Sequence, residues 1–255
     1  MNFLAYVIMG IPAGKMLIKY GYKKTALIAI LVGLVGVFVQ FVSGQMGAGA
    51  VAGIPSAFFV YLLGAFISGF CVCMLNTVVN PMLNTIGGGG NRGNQLNMIG
   101  GTLNSLAGTL TPMLVGSLIG SVTAQTKLAD VNPVLYIAMA VFAAAFVILC
   151  FIPIANPTSG SSNKTFEYSP WKFRHFVLGA IAIFVYVGVE VGIPGTLNFF
   201  LTDTLGTSNA AAVAGFAAGT YWFLMLVGRL VGSVISGKVS SKKMLYVVAT
   251  VAIVL

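Results

Sequence analysis

A chain of 255 residues that is 58% hydrophobic and 7% charged, with a mean hydropathy of +1.00, lies far outside the composition of a water-soluble domain. Its net charge of +9 would suit nucleic acid in a soluble protein, but the charged residues here fall in short clusters between apolar runs of about 20 residues, the length that crosses ~30 Å of hydrocarbon. The expected fold class is all-α, polytopic and membrane-embedded. Cys71, Cys73 and Cys150 lie in apolar runs without CxxC spacing, so neither zinc nor a disulfide framework is expected, and all three predict buried, inert thiols.

In chain order, hydropathy and the Gly, Pro and charge breaks predict helices near 3–18, 25–43, 56–83, 95–122, 133–154, 173–201, 209–236 and from 243 onward. The eighth has about thirteen residues, too few to span. No basic segment or small-residue cleavage site marks a signal peptide at Met1. The connections after the first, third, fifth and seventh helices hold Lys15, Lys19, Lys23, Lys24, Arg92, Lys164, Lys172, Arg174, Lys238, Lys242 and Lys243, whereas the others hold only Lys127. Excess Lys and Arg mark the cytoplasmic side, which places Met1 at the outer face.

GxxxG pairs at Gly10/Gly14, Gly116/Gly120, Gly188/Gly192, Gly215/Gly219 and Gly228/Gly232 predict close helix packing in lipid. The run Gly87–Gly90 lacks the Lys-Ser/Thr ending of a phosphate loop and reads as a flexible cytoplasmic turn. Residues 155–172, ANPTSGSSNKTFEYSPWK, form the one long polar segment and divide the chain into residues 1–154, a cytoplasmic linker, and residues 173–255. IPAGKMLIKYGYKK, from Ile11 to Lys24, aligns without a gap on LVGSVISGKVSSKK, from Leu230 to Lys243. That spacing implies a six-helix repeat, with one further helix expected before Met1 and three after Leu255. Repeats of this kind belong to secondary transporters, whose halves rock about a site near the bilayer midplane.

Polar groups inside the apolar runs are the candidate functional residues. Glu190 lies two or three residues from the centre of the run Phe176–Phe200. Burying that acid costs a few kcal/mol, so it is expected to face protein or water, where a protonatable group suits proton coupling or hydroxyl binding. Tyr186 lies one turn before it and Asn198 two turns after, with Pro194 between them expected to kink the helix. Asn76 and Asn80 share a face at i,i+4, and Asn97 and Asn104 share one at i,i+7. Their carboxamides can bond sugar hydroxyls without carrying charge, or can join helices. Arg229 lies in the cytoplasmic third of its helix and is expected to snorkel, acting as a gate or bracing the turn. Tyr221 and Trp222 could stack on a sugar ring, although lipid or helix contact is the commoner role of such aromatics; His175, beside Lys172 and Arg174, reads as an interfacial contact. No enzyme constellation is present in the sequence.

The basic turn carrying Gly14, Lys19, Gly21, Lys23 and Lys24 resembles the signature loop of the major facilitator superfamily, with Ile18 where an Asp is usual. Five motifs are similar to its fucose permease and glucose/galactose branch: IPAGKMLIKYGYKK, LNTVVNP from Leu75 to Pro81, GTLNSLAG from Gly101 to Gly108, YVGVEVGI from Tyr186 to Ile193, and GRLVGS from Gly228 to Ser233. Asn76 stands where that branch commonly has Glu or Gln, and Gly101 where it often has Gln. The resemblance implies a 6+6-helix fold of which this chain covers the second helix into the ninth. It also implies a proton-coupled monosaccharide transporter, monomeric, without metal or cofactor, in a plasma membrane such as the bacterial inner membrane. A non-transporting fragment, or a carrier of another small polar solute, is the alternative. In this reading Glu190 couples protons; Asn76, Asn80, Asn104, Tyr186 and Asn198 bind substrate; and Gly14, Lys19, Gly21, Lys23, Lys24 and Arg229 serve gating.

Overall fold

The computed structural model describes residues 1–46, 49–51, 54–119, 128–154, 169–205 and 210–254. Seven α-helices carry the fold: α1 (Asn2–Ser43), α2 (Ser56–Ile86), α3 (Gly90–Ile119), α4 (Asn132–Phe151), α5 (Arg174–Leu205), α6 (Ala210–Ser236) and α7 (Ser241–Val254). Two-residue strands, Ala50–Val51 and Ile54–Pro55, pair antiparallel between α1 and α2. Among the described residues, five segments are long and apolar enough to cross a membrane: Asn2–Ser43, Ser56–Ile86, Asn132–Phe151, Arg174–Leu197 and Gly219–Ser236. Side chains such as Val7, Phe151 and Phe184, 80%, 82% and 81% exposed, have hydrocarbon as their natural surroundings.

The first two expected helices are one element with a sharp break. A straight helix of 42 residues would be about 63 Å long, twice the hydrocarbon thickness. Gly21 (φ 80°, ψ 175°) interrupts it, in a region open in practice to glycine alone. The two limbs then fold back on each other. Ala13 and Ala29, about 24 Å apart on a straight helix, share one buried cluster with Met74 of α2, and Thr25 Oγ1 donates to Met16 O at 3.2 Å. The expected six-residue basic turn is thus a bend at a single residue, with helix on both sides.

Helix α2 is held by both limbs of α1, and α4 packs on the second. Close approaches are at glycines, most of them outside the GxxxG pairs. A Cβ on Gly64 would stand 2.7 Å from the Gly36 carbonyl oxygen, one on Gly69 would stand 2.7 Å from Ala5 Cβ, and one on Gly33 would meet the Phe142 ring at 2.6 Å. Gly10, Gly14, Gly188, Gly192, Gly219 and Gly228 have nothing within 4 Å of that position, and only Gly232, against Met98, lies in a seam. Gly116, Gly120 and Gly215 lie outside the residues whose side chains are described. The pairing expectation thus fails at Gly10/Gly14 and Gly188/Gly192 and holds at Gly232, because spacing alone does not say which face of a helix meets a neighbour.

The run after α2 is a defined turn. Gly88, Gly89 and Gly90 have φ of 72°, 74° and 61°, Gly89 N–H donates to Asn84 O at 3.0 Å, and Gly93 N–H donates to Gly89 O at 3.1 Å. Three successive left-handed residues need glycine, because a Cβ would cost roughly 1–2 kcal/mol at each. Of the expected linker, residues 155–168 lie outside the described residues; Pro170–Lys172 forms a 3-10 turn leading into α5. Helix α5 runs as one α-helix through Pro194. Cys71 and Cys73 are buried as expected, but Cys150 is exposed, because α4 contributes few residues to the core.

Gly21→Ala should destabilise the detergent-solubilised protein by about 1–3 kcal/mol, the cost of holding an L-residue in that backbone region, read as a lower Tm. Gly64→Ala should lower Tm as well, because its Cβ meets backbone that cannot rotate away. Gly188→Ala and Gly192→Ala, which enter open space, should leave it unchanged in the same thermal assay.

Candidate functional site

The polar centre of the molecule lies where α3, α5 and α6 meet. Glu190, half-way along α5, is 2.8 Å through Oε1 from Arg229 Nη2 on α6, an ion pair whose Arg and Glu side chains are 26% and 15% exposed. Arg229 Nη1 donates to Ser105 Oγ at 2.7 Å and to Gly101 O at 3.1 Å, both on α3. Tyr221 O–H donates to the Glu190 backbone carbonyl at 3.1 Å and packs edge-on against Trp222, ring centroids 5.7 Å apart. One guanidinium therefore joins three helices.

The local sequence explains this arrangement. Residues 221 and 229 are eight apart on α6, just over two turns, so Tyr221 and Arg229 lie on one face and both reach α5. Gly101 and Ser105, at i,i+4, share a face of α3 turned to α6. Gly101 supplies room as well as a carbonyl: Arg229 Cδ and Nη1 lie 3.8 and 3.9 Å from where its Cβ would stand. At the place where the resembling branch often carries a Gln, this chain seats an arginine from another helix.

Arg229 thus departs from expectation. It points into the helix junction instead of snorkelling to the cytoplasmic interface, because the Glu190 carboxylate and two α3 acceptors replace the water it would seek. Glu190 faces protein as expected, opposite a cation that hydropathy could not assign to it.

The other candidates fall elsewhere. Asn76 Nδ2 donates at 2.6 Å to the Tyr6 hydroxyl on the first limb of α1, and the buried Cys73 Sγ lies 4.0 Å from Tyr6 O, so these three residues form a second polar contact between α1 and α2. Asn80, Asn104 and Tyr186 are exposed, and the side chain of Asn198 lies outside the described residues. The Asn97 Oδ1 atom is buried without a hydrogen-bond partner. In the basic turn, Gly21 makes the bend, Lys19 Nζ lies 5.4 Å from the Tyr20 ring centroid, and Lys24 is exposed. Lys23 Nζ donates to Cys150 O at 2.8 Å, placing a cation on one of the last carbonyls of α4, where helix polarity favours it. Gly14 meets no neighbour. No group of three or more His, Cys, Asp or Glu suited to a metal occurs among the described residues. Tyr6, Ser105 and the Gly101 carbonyl were not singled out by sequence reasoning, since a hydroxyl in an apolar helix and a backbone oxygen carry no distinguishing pattern.

A carboxylate, a guanidinium and hydroxyls carried inward on long apolar helices and joined at a shared junction define a polytopic α-helical membrane protein with an internal polar site. The chain belongs to the Major Facilitator Superfamily, which it matches over residues 1–255. Among curated proteins it is 30% identical over 262 residues to the glucose/galactose transporters of Brucella abortus biovar 1 (strain 9-941) and Brucella abortus (strain 2308). It is 28% identical over 264 residues to a provisionally named glucose/galactose transporter of Helicobacter pylori (strain ATCC 700392 / 26695). These alignments cover 99% of this chain, and the chain spans about 60% of the length of each relative. No solved structure gives a significant match.

Arg229→Ala, leaving Glu190 unpaired among apolar helices, should lower stability by about 3 kcal/mol, and Glu190→Ala by a similar amount. The double variant should lose clearly less than the sum of the two, as a double-mutant cycle of Tm values in detergent would record.

Proposed function

We propose that this chain forms part of a secondary active transporter of a monosaccharide of the glucose, galactose or fucose type, operating as an H⁺ symporter by alternating access. The observation that carries the reading is the Glu190–Arg229 pair at the junction of α3, α5 and α6. The printed substrates of the relatives support the sugar class. In this proposal residues 1–154 and 173–255 belong to two halves joined by the 155–172 segment, and the junction of α3 with α5 and α6 lies between them.

A carboxylate paired with a guanidinium inside a membrane has two stable arrangements. It keeps the ion pair, or it takes a proton and gives up its claim on the cation. Exchanging one for the other ties proton entry to a change in the helix junction. A sugar brings hydroxyls that donate to a carboxylate or accept from a guanidinium, so its arrival competes with the pair. Asn76, with its Tyr6 partner, and Asn80, Asn104, Tyr186 and Asn198 are the proposed hydroxyl contacts. Gly14, Lys19, Gly21, Lys23 and Lys24 act in gating, with the Gly21 bend and the Lys23 contact to α4 fixing how α1 moves with α4. No cofactor enters this scheme.

The test is uptake of radiolabelled glucose, galactose and fucose in cells expressing the whole reading frame that contains this chain, at pH 6 and 8, with and without an uncoupler. Accumulation should be abolished by the uncoupler. Glu190→Gln should lose accumulation and retain exchange of sugar down its gradient. Absence of all three activities from protein that reaches the membrane would overturn the sugar assignment.

A further inference from the structure

We infer that Ser105 on α3 is a positioning residue for the Glu190–Arg229 pair, and that through it α3 responds to the charge state of a residue on α5 that it does not touch through that contact. The inference rests on the proton-coupled reading above, and it adds a third helix and an unassigned residue to the coupling device. The guanidinium of Arg229 is planar, so fixing one of its nitrogens fixes the direction of the other. Nη1 is fixed by two α3 acceptors, Ser105 Oγ at 2.7 Å and Gly101 O at 3.1 Å, while Nη2 faces Glu190 Oε1 at 2.8 Å. Ser105 is itself buried, 5% exposed, so its hydroxyl is a seat within the protein.

The titratable groups facing the pair, among the described residues, are few. Helix α6 brings Arg229 and Tyr221, α5 brings Tyr186 one turn before Glu190, and the one charged residue of α3, Arg92, is nine residues from Gly101, about 13 Å along the helix. No second cation on α3 can take over from Arg229. The seam between α3 and α6 is also tight: Gly232 lies against Met98, and a Cβ on Gly237 would stand 3.0 Å from the Gln95 amide. When Glu190 loses its charge, Arg229 keeps only the neutral acceptors of α3. When α3 shifts along α6, the guanidinium turns away from Glu190. Each event disturbs the other, as thermodynamic linkage requires.

A lysine at 229 could not serve both sides, since it presents a single point charge where the guanidinium presents a fork. Ser105 therefore predicts a distinctive coupling. In protein made from the whole reading frame, Ser105→Ala should lower Tm in a Glu190 background and have less than half that effect in Glu190→Gln. It should reduce sugar accumulation about tenfold, the worth of one charge-assisted hydrogen bond, and leave exchange intact. Ser105→Thr, which keeps the hydroxyl, should restore wild-type accumulation and Tm. Equal Tm losses from Ser105→Ala with and without Glu190 would overturn the inference, leaving Ser105 as packing between α3 and α6. A Ser105→Thr variant that behaves like Ser105→Ala would overturn it too. If no sugar is accumulated even by the wild type, the transport reading falls, and the Tm cycle still decides whether Ser105 acts through Arg229.

Discussion

The absence of water around the helices governs this structure more than any single contact. In hydrocarbon, helices gain nothing from burying apolar side chains against one another, so association depends on close packing and on polar groups that have no other partner. Both devices are present, in different places. Helices α1, α2 and α4 are held by backbone approach at Gly33, Gly36, Gly64 and Gly69. The junction of α3, α5 and α6 is held by one divided guanidinium. The first kind of contact is shaped and has one good arrangement. The second is electrostatic and runs through charged and polar groups on three helices.

That contrast gives the molecule a division of labour. The Gly21 bend, the Thr25 hydroxyl on Met16 O and the buried Ala13, Ala29 and Met74 fasten α1 and α2 as a unit whose distances leave little room to slide. Lys23 adds α4 through the Cys150 carbonyl. Apart from this unit, the α3, α5 and α6 junction is held by bonds that converge on Arg229 and on Glu190. The Tyr6–Asn76 bond is the point at which the packed group itself offers an amide and a phenol.

Much of this was legible in the chain, and the reason is physical. Hydropathy over about 20 residues reports a span whatever its neighbours are, so the ranges near 56–83, 133–154 and 209–236 fall within a few residues of α2, α4 and α6. A lone acid within an apolar run is equally visible, which is why Glu190 is singled out from sequence. Partnership was not. Arg229 looked like an interfacial residue because its position along α6 is visible in sequence and its direction is not, and the opposing Ser105 and Gly101 lie over a hundred residues away. The glycines that pack lie on the faces that meet neighbours, a property of tertiary arrangement that spacing within one helix cannot encode. The bend at Gly21 reads as a loop in sequence because Lys19, Lys23 and Lys24 surround it, whereas one residue with positive φ is enough to reverse the chain.

The three-glycine turn between α2 and α3 bears on how a polar helix is accommodated in hydrocarbon. Helix α3 carries Asn91, Asn94, Gln95, Asn97 and Asn104 and is not among the five segments apolar enough to cross a membrane by composition. Helix α2, with no charged residue in 31, enters hydrocarbon readily. Joined by a connection as short as Gly87–Gly89, with Gly93 close against Asn84, the two run as a hairpin. Because so short a connection keeps the two together, the apolar helix offsets part of the cost of placing its polar neighbour in hydrocarbon. Glycine in that turn thus serves the pairing of an apolar with a polar helix as well as the local backbone.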